Sequence, residues 1–202
     1  MRRPALASLL GLALVLAACG GPDTGNSRGG AWPGASQRIV EEGHAPTPFT
    51  AAQIREGCPE GRVATFRVIQ AGRDPFLQFM RFHDADAEGV EVEMGMMLEN
   101  GNPVSTPASR RSTWEELQRH ASFEADRTIL SEGEVTVEAG TFPCFLYEVR
   151  VERSGEPPAT TRAWFAKTLP GPPVKMEKVV AGQTQLVSEL VSNVIEETAD
   201  AE

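Results

Sequence analysis

The chain has 202 residues, room for one domain with a leader and a linker but not for a large multidomain enzyme. Its 41% apolar and 23% charged residues are ordinary for a globular protein. The formal net charge of −9 lacks the basic footprint a nucleic-acid binder needs, and three cysteines are too few for a disulfide-dense scaffold.

Arg2 and Arg3 open the chain as a positive leader segment. The apolar stretch from Ala5 to Val15 is shorter than the roughly 20 residues a membrane span requires and has the form of a signal-peptide core. It ends in Leu16-Ala17-Ala18-Cys19-Gly20. That pentad resembles the lipobox of bacterial lipoproteins. The resemblance implies a diacylglycerol on the Cys19 thiol, cleavage of residues 1–18, and an acyl chain of the palmitate kind on the new amine. Each buried methylene contributes about 0.8 kcal/mol, and two or more chains hold a protein stably on a bilayer. An ordinary secretory signal with an incidental Cys19 is the rival reading. Gly20 follows the cysteine where an Asp marks inner-membrane retention in enteric-type bacteria, so the resemblance implies an outer-membrane anchor facing the periplasm. Loss of Arg2 and Arg3 takes the formal net charge from −9 to −11. Anionic headgroups repel such a domain.

Residues 19–47 read as the lipidated cysteine and a flexible linker, rich in Gly, Pro and Ser up to residue 37. Eighteen such residues span roughly 25 Å. Trp32 within it reads as an isolated apolar residue or as an interfacial anchor. A single domain is expected over residues 48–195, with the acidic end 196–202 as a disordered tail.

Two short helices are signalled. Thr50-Ala51-Ala52-Gln53 has capping-box spacing, with Phe49 and Ile54 as a hydrophobic staple and Gly57 as a stop. Thr113-Trp114-Glu115-Glu116 repeats the box, and Trp114, Leu117 and Ala121 then share a face. The rest alternates with a period of two. Strands are predicted over 62–70, 76–83, 90–98, 128–137, 145–152, 160–166, 174–180 and 186–192, separated by turn signals such as Asn100-Gly101 and Ala181-Gly182. The expected fold is mainly β (α+β), a curved antiparallel sheet or half-barrel of about eight strands carrying one or two short helices.

The stretch Val135-Thr136-Val137-Glu138-Ala139-Gly140-Thr141-Phe142-Pro143-Cys144, followed by Trp164-Phe165-Ala166-Lys167, resembles uncharacterised bacterial lipoproteins with a TapB-like domain of unknown function. So do Pro48–Arg62 and Thr113–Leu117. The resemblance implies a curved antiparallel sheet carrying a helix and transfers no activity. A broader likeness to the LolA/LolB-type half-barrels, which bind lipid, is one of architecture only.

Chemistry-bearing residues are few. Cys58 and Cys144 remain after lipidation. In an oxidising compartment an even pair reads as one disulfide, closing a loop of about 87 residues for roughly 4–4.5 kcal/mol. Two buried thiols, or a nucleophilic Cys58 served by a histidine, are the alternatives. Asp84-Ala85-Asp86-Ala87-Glu88-Gly89 imitates the first half of an EF-hand loop, but Gly95 stands where a bidentate Glu is required. An acidic hairpin turn accounts for it better. His83 and His120 lack companions for a metal site or a dyad, with His120 placed to meet Glu116 at i, i+4. No Walker loop, serine elbow, zincin motif or dinucleotide fingerprint occurs. Leu169–Pro173 reads as a rigid turn. Met80, Met94, Met96, Met97 and Met176 suit either core filling or an adaptable lipid-binding surface. The expectation is a non-catalytic envelope lipoprotein without cofactor or metal. It is held to the membrane through Cys19 and binds an apolar or lipidic ligand; alternatively it meets an envelope protein partner and has no ligand cavity. Nucleic acid is not expected as a partner.

Overall fold

The computed structural model describes residues 34–152 and 155–196. Helix α1 (Ala51–Gly57) and helix α2 (Trp114–Arg119) both start at complete capping boxes, on Thr50 with Gln53 and on Thr113 with Glu116. In each, the threonine hydroxyl and the side chain three residues on satisfy backbone N–H groups that the first turn leaves without partners. The strands are β1 (Arg62–Gln70), β2 (Phe76–His83), β3 (Gly89–Leu98), β4 (Ala108–Thr113), β5 (Thr128–Val137), β6 (Gly140–Val151), β7 (Ala159–Ala166), β8 (Lys175–Val180) and β9 (Gln183–Ile195).

They form one antiparallel sheet in the order β4-β3-β2-β1-β9-β8-β7-β6-β5. Two hairpin meanders, β1 to β4 and β5 to β9, are joined where the first strand meets the last: Arg62 pairs with Ile195 and Gln70 with Leu186. A bulge beside Thr65 and Phe66 interrupts this seam, where the extra residue bends and twists the strand. The sheet is open, with β4 and β5 as its edges. The connection between those edges, residues 114–127, carries α2 and crosses from one to the other.

The core explains the curvature. One apolar cluster draws Phe82 of β2 and Val90 and Val92 of β3 together with Tyr147 and Val149 of β6 and Ala163 and Phe165 of β7. Strands from both halves of the sheet meet one cluster only when the sheet bends around it. Phe49, Ile54, Trp114, Ala121 and Phe123 fill the centre. Burying Phe49, Ile54 or Phe123 contributes roughly 1.5–3 kcal/mol each. Rings meet edge-on, as their quadrupoles favour: Tyr147 and Phe165 have centroids 5.3 Å apart at 80°. A second cluster joins Ala64, Phe66 and Leu190 of the central strands to Val137, Cys144, Ala166 and Val174.

Three expectations change. The sheet has nine strands, because β4, Ala-Ser-Arg-Arg-Ser-Thr, pairs with β3 despite lacking an apolar alternation. An edge strand needs only one hydrogen-bonding neighbour, and polar side chains protect its free side. The stretch assigned to the linker is folded from residue 34 onward: Arg38 is 6% exposed, Thr47 is fully buried, and His44 bridges to Glu124. The expected Cys58–Cys144 disulfide is not formed. Both are free buried thiols, Cys58 in the first cluster and Cys144 in the second. The leader, Cys19, Trp32 and the tail 197–202 lie outside the described residues.

Candidate functional site

The inner face changes character along β2 and β3. Four cross-strand pairs lie on it in succession: Phe82 with Val92, Met80 with Met94, Gln78 with Met96, and Phe76 with Leu98. Alternate residues of a strand share a face, so the four form one continuous strip. Its first rung is core, with Phe82 at 2% and Val92 at 6% exposed. Met80 still packs against that core. Met94 reaches 39% and Leu98 46% exposure. The helices therefore cover only part of the face, and a methionine-rich remainder continues the core into solvent. Gly95 belongs to the opposite side, where a Cβ would stand 2.4 Å from the Phe79 ring.

The cover over the other part is tied down by polar contacts. Gln118 of α2, 6% exposed, accepts from the Ala51 N–H at 2.8 Å and donates to the Thr47 hydroxyl at 3.0 Å. The single Thr47 hydroxyl proton is in turn shared between the carbonyls of Arg38 and Phe49, 3.0 and 2.9 Å away. Tyr147 donates to the Pro46 carbonyl at 2.5 Å, and burial pushes its phenol above the ordinary range. Trp114 donates from Nε1 to the Asp86 carbonyl at 3.0 Å.

Cys58 sits against Arg62, with Sγ 3.3 Å from Nη1. Arg62 is 2% exposed and also donates to the Asn193 side chain, the Gly57 carbonyl and the Pro170 carbonyl. Burial raises the Cys58 pKa, with the arginine opposing. Burial likewise pushes Cys144 up to about 11, with Lys167 opposing. Both are thiols at neutral pH, the unreactive form. Gly171, at φ +134°, lets the Leu169–Pro173 turn reach this place. A Cβ there would stand 3.0 Å from Arg62 and 3.1 Å from Cys58.

The acidic motif is a hairpin turn. Asp86 Oδ1 accepts from the N–H groups of Glu88 and Gly89, Oδ2 meets Arg111 at 2.5 Å, and these bonds hold its carboxyl below the usual range. Glu60 accepts from the Asp84 and Ala85 N–H groups. His120 is the exposed C-cap of α2.

Sequence reasoning missed one row. Asp84 Oδ2 lies 3.3 Å from His83 Nδ1, and His83 Nε2 lies 3.3 Å from Ser109 Oγ. The order is that of a nucleophile triad. The row is exposed, however, and Ser109 donates to Glu91 at 3.1 Å. It was missed because Ser109 belongs to the unpredicted strand. Also missed was a surface pocket of about 550 Å³ lined by Arg38, Pro48, Phe49, Gln53, Glu132, Phe145, Lys167 and Pro170. Among the described residues no group of three or more His, Cys, Asp or Glu could hold a metal ion, and no helix is long and apolar enough to cross a membrane.

No protein-family model and no curated protein matches the chain. Several solved structures are similar in part. One from Bacteroides fragilis, named as an exported protein with a YmcC-like fold, is 12% identical with a TM-score of 0.45, covering 67% of this chain and 96% of that one. Another, from Parabacteroides distasonis and named as a lipoprotein, is 11% identical with a TM-score of 0.45, covering 68% and 96%. An outer membrane lipoprotein-sorting protein domain from Vibrio parahaemolyticus is 9% identical with a TM-score of 0.29, covering 75% and 92%. Likenesses at these scores carry no argument about family or activity.

Proposed function

We propose that this chain is an exported bacterial protein, anchored to the cell envelope through a lipid on Cys19. In this reading it binds an apolar or lipidic ligand, without catalysis, on the uncovered part of its inner sheet face. The anchor is read from Leu16-Ala17-Ala18-Cys19, and Gly20, in place of an Asp, supports the outer membrane as its location. The observation that carries the binding role is the strip from Phe82 and Val92 out to Phe76 and Leu98. An acyl chain laid on it would extend the existing core rather than open a new one. Methionines suit such a surface because their unbranched, polarizable side chains adapt to the ligand's shape.

A second reading is a structural or protein-interaction lipoprotein. It is favoured by the close packing of Phe49, Trp114 and Phe123 over the covered part of the face. Native mass spectrometry separates the two. The chain from residue 19 onward, carrying Cys19→Ala and purified from the periplasm without detergent, should show a mass excess that disappears on denaturation. It should also bind an uncharged alkyl probe, and Met94→Asp should abolish both signals. A bare polypeptide mass together with no probe binding would overturn the ligand reading and leave the interaction reading in its place.

A further inference from the structure

We infer that the ligand of the methionine strip is a single-chain carboxylate, a long-chain fatty acid held by its head at Arg110 with its alkyl chain laid along β3. This rests on the function proposed above and names the chemistry of the same site.

The register puts one charge on this face. Residues directly opposed on paired strands lie on the same side of a sheet, as do alternate residues of one strand. Arg110 of β4 is opposed to Val92, and Ala108 to Met94, so Arg110 shares the inner side with the strip. The inner positions of β2, from Phe76 to Phe82, and of β3, from Val90 to Leu98, are all uncharged. The other inner positions of β4 are Ala108 and Ser112. Among the described residues Arg110 is therefore the one charged side chain on the inner side of these three strands. The carboxylates of β3 take the other side, where Glu93 meets Arg81 and Glu91 accepts from Ser109.

Its sequence neighbour shows what is unusual about it. Arg111, on the outer side, is engaged by Asp86 and by the Asp84 carbonyl. Arg110 is exposed and has no hydrogen-bond or ion-pair partner among the described residues. In a chain of net charge −9, a cation left unpaired beside apolar surface is the exception. Its planar fork of donors fits a carboxylate in bidentate fashion.

The dimensions select what is attached to that head. Met94, Met96 and Leu98 follow one another outward from the Arg110 rung without a polar residue between them on that side, whereas β2 carries Gln78. Ala108 opposite Met94 is small, and diagonal neighbours lie only about 7–8 Å apart, so the Arg110 side chain reaches over it to the strip. From Val92 to Leu98 the strand runs about 20 Å, the extended length of a long acyl chain. The strip is two strands wide, with about 4.8 Å between them, which seats one alkyl chain. A lipid with two chains would overhang it. Val104, whose N–H donates to the Met96 carbonyl at 2.9 Å, is 42% exposed and adds apolar surface beside that rung.

The test uses the chain from residue 19 onward with Cys19→Ala, so that the anchor does not dominate. Decanoate, 1-decanol and decyltrimethylammonium share one alkyl chain and differ in charge, and their binding is measured by calorimetry. Decanoate should bind about fivefold more tightly than 1-decanol, the gain from one exposed charge pair, and the cation no more tightly than 1-decanol. Added salt should shrink the preference for decanoate. Arg110→Gln should erase that preference while leaving 1-decanol binding unchanged, and Arg111→Gln, on the outer side, should preserve it. A merely structural role for Arg110 would weaken both ligands alike. Equal binding of decanoate and 1-decanol, or a preference that survives Arg110→Gln, would overturn this inference and leave the uncharged-ligand reading of the strip standing. Binding of neither would sink both. Dihexanoyl phosphatidylglycerol bound as tightly as decanoate would make the ligand a two-chain membrane lipid and overturn the single-chain assignment.

Discussion

The two ends of the strip along β2 and β3 are built from the same kind of residue and meet different fates. At one end Phe82 and Val92 lie beneath Trp114, Phe123 and the aromatic rings of β6 and β7. At the other Met94 and Leu98 face solvent. The sheet is continuous and the register unbroken across all four rungs. What differs is the cover, because α1 and α2 have seven and six residues. At 1.5 Å per residue they span roughly 10 Å each, while the ten-residue β3 extends about 33 Å. Short helices thus leave an exposed apolar end as a matter of length, and the burial gradient marks where their cover ends.

The comparison can be broken at several points. Phe165→Ala should remove about 3–5 kcal/mol in urea unfolding, the cost of deleting a fully packed ring. Gln118→Ala should cost about 1–3 kcal/mol, since it strips partners from Ala51 and Thr47 in the layer that seals the covered end. Thr50→Ala should lose about 1 kcal/mol through the cap of α1. Met94→Ala should change stability by less than about 0.5 kcal/mol while reducing uncharged-probe binding. If Met94→Ala proves as costly as Phe165→Ala, the exposed end is core and the comparison fails.

The smallest effect concerns alkaline pH. Burial raises Cys144 to about 11, so the unfolded thiol, near 8.5, ionises first. The native state then holds more protons over that interval, and stability falls as pH rises from about 9 to about 11. Cys144→Ala should make that slope shallower, and Cys58 and Tyr147, also raised by burial, should keep some of it. Ellman's reagent on the Cys19→Ala chain should find no reactive thiol in the native state and two after unfolding in guanidinium. A zero count after unfolding would restore the disulfide.

Much of the architecture was legible because local chemistry and the fold agree. Strands β1, β2 and β5 have the predicted bounds, set by the turn signals around them, and α1 follows from Thr50, Gln53 and Gly57. β4 was illegible because Ser109, Arg110 and Arg111 carry no apolar period, and its pairing with β3 is a tertiary fact. The surface pocket beside Phe145 was illegible for a similar reason. Arg38 sits in a polar stretch that reads as tether, and only the fold brings it to Phe145 and Lys167. The methionine strip could be suspected from Met94 and Met96, but alternation alone does not say which rungs the helices cover. The cysteines show the limit of counting: parity suggested a bridge, while the packing puts each thiol in its own cluster.

The seam between β1 and β9 governs the order of assembly. Every other strand pair joins sequence neighbours, but Arg62 must wait for Ile195. Hairpins of the first meander can form early, yet the middle of the sheet stays unzipped until almost the whole polypeptide is available. Loop closure over so long a separation is entropically slow. For a chain whose first residues resemble an export leader, such a delay would have a use: a domain that cannot close before its last strand arrives would remain threadable through a narrow translocation channel.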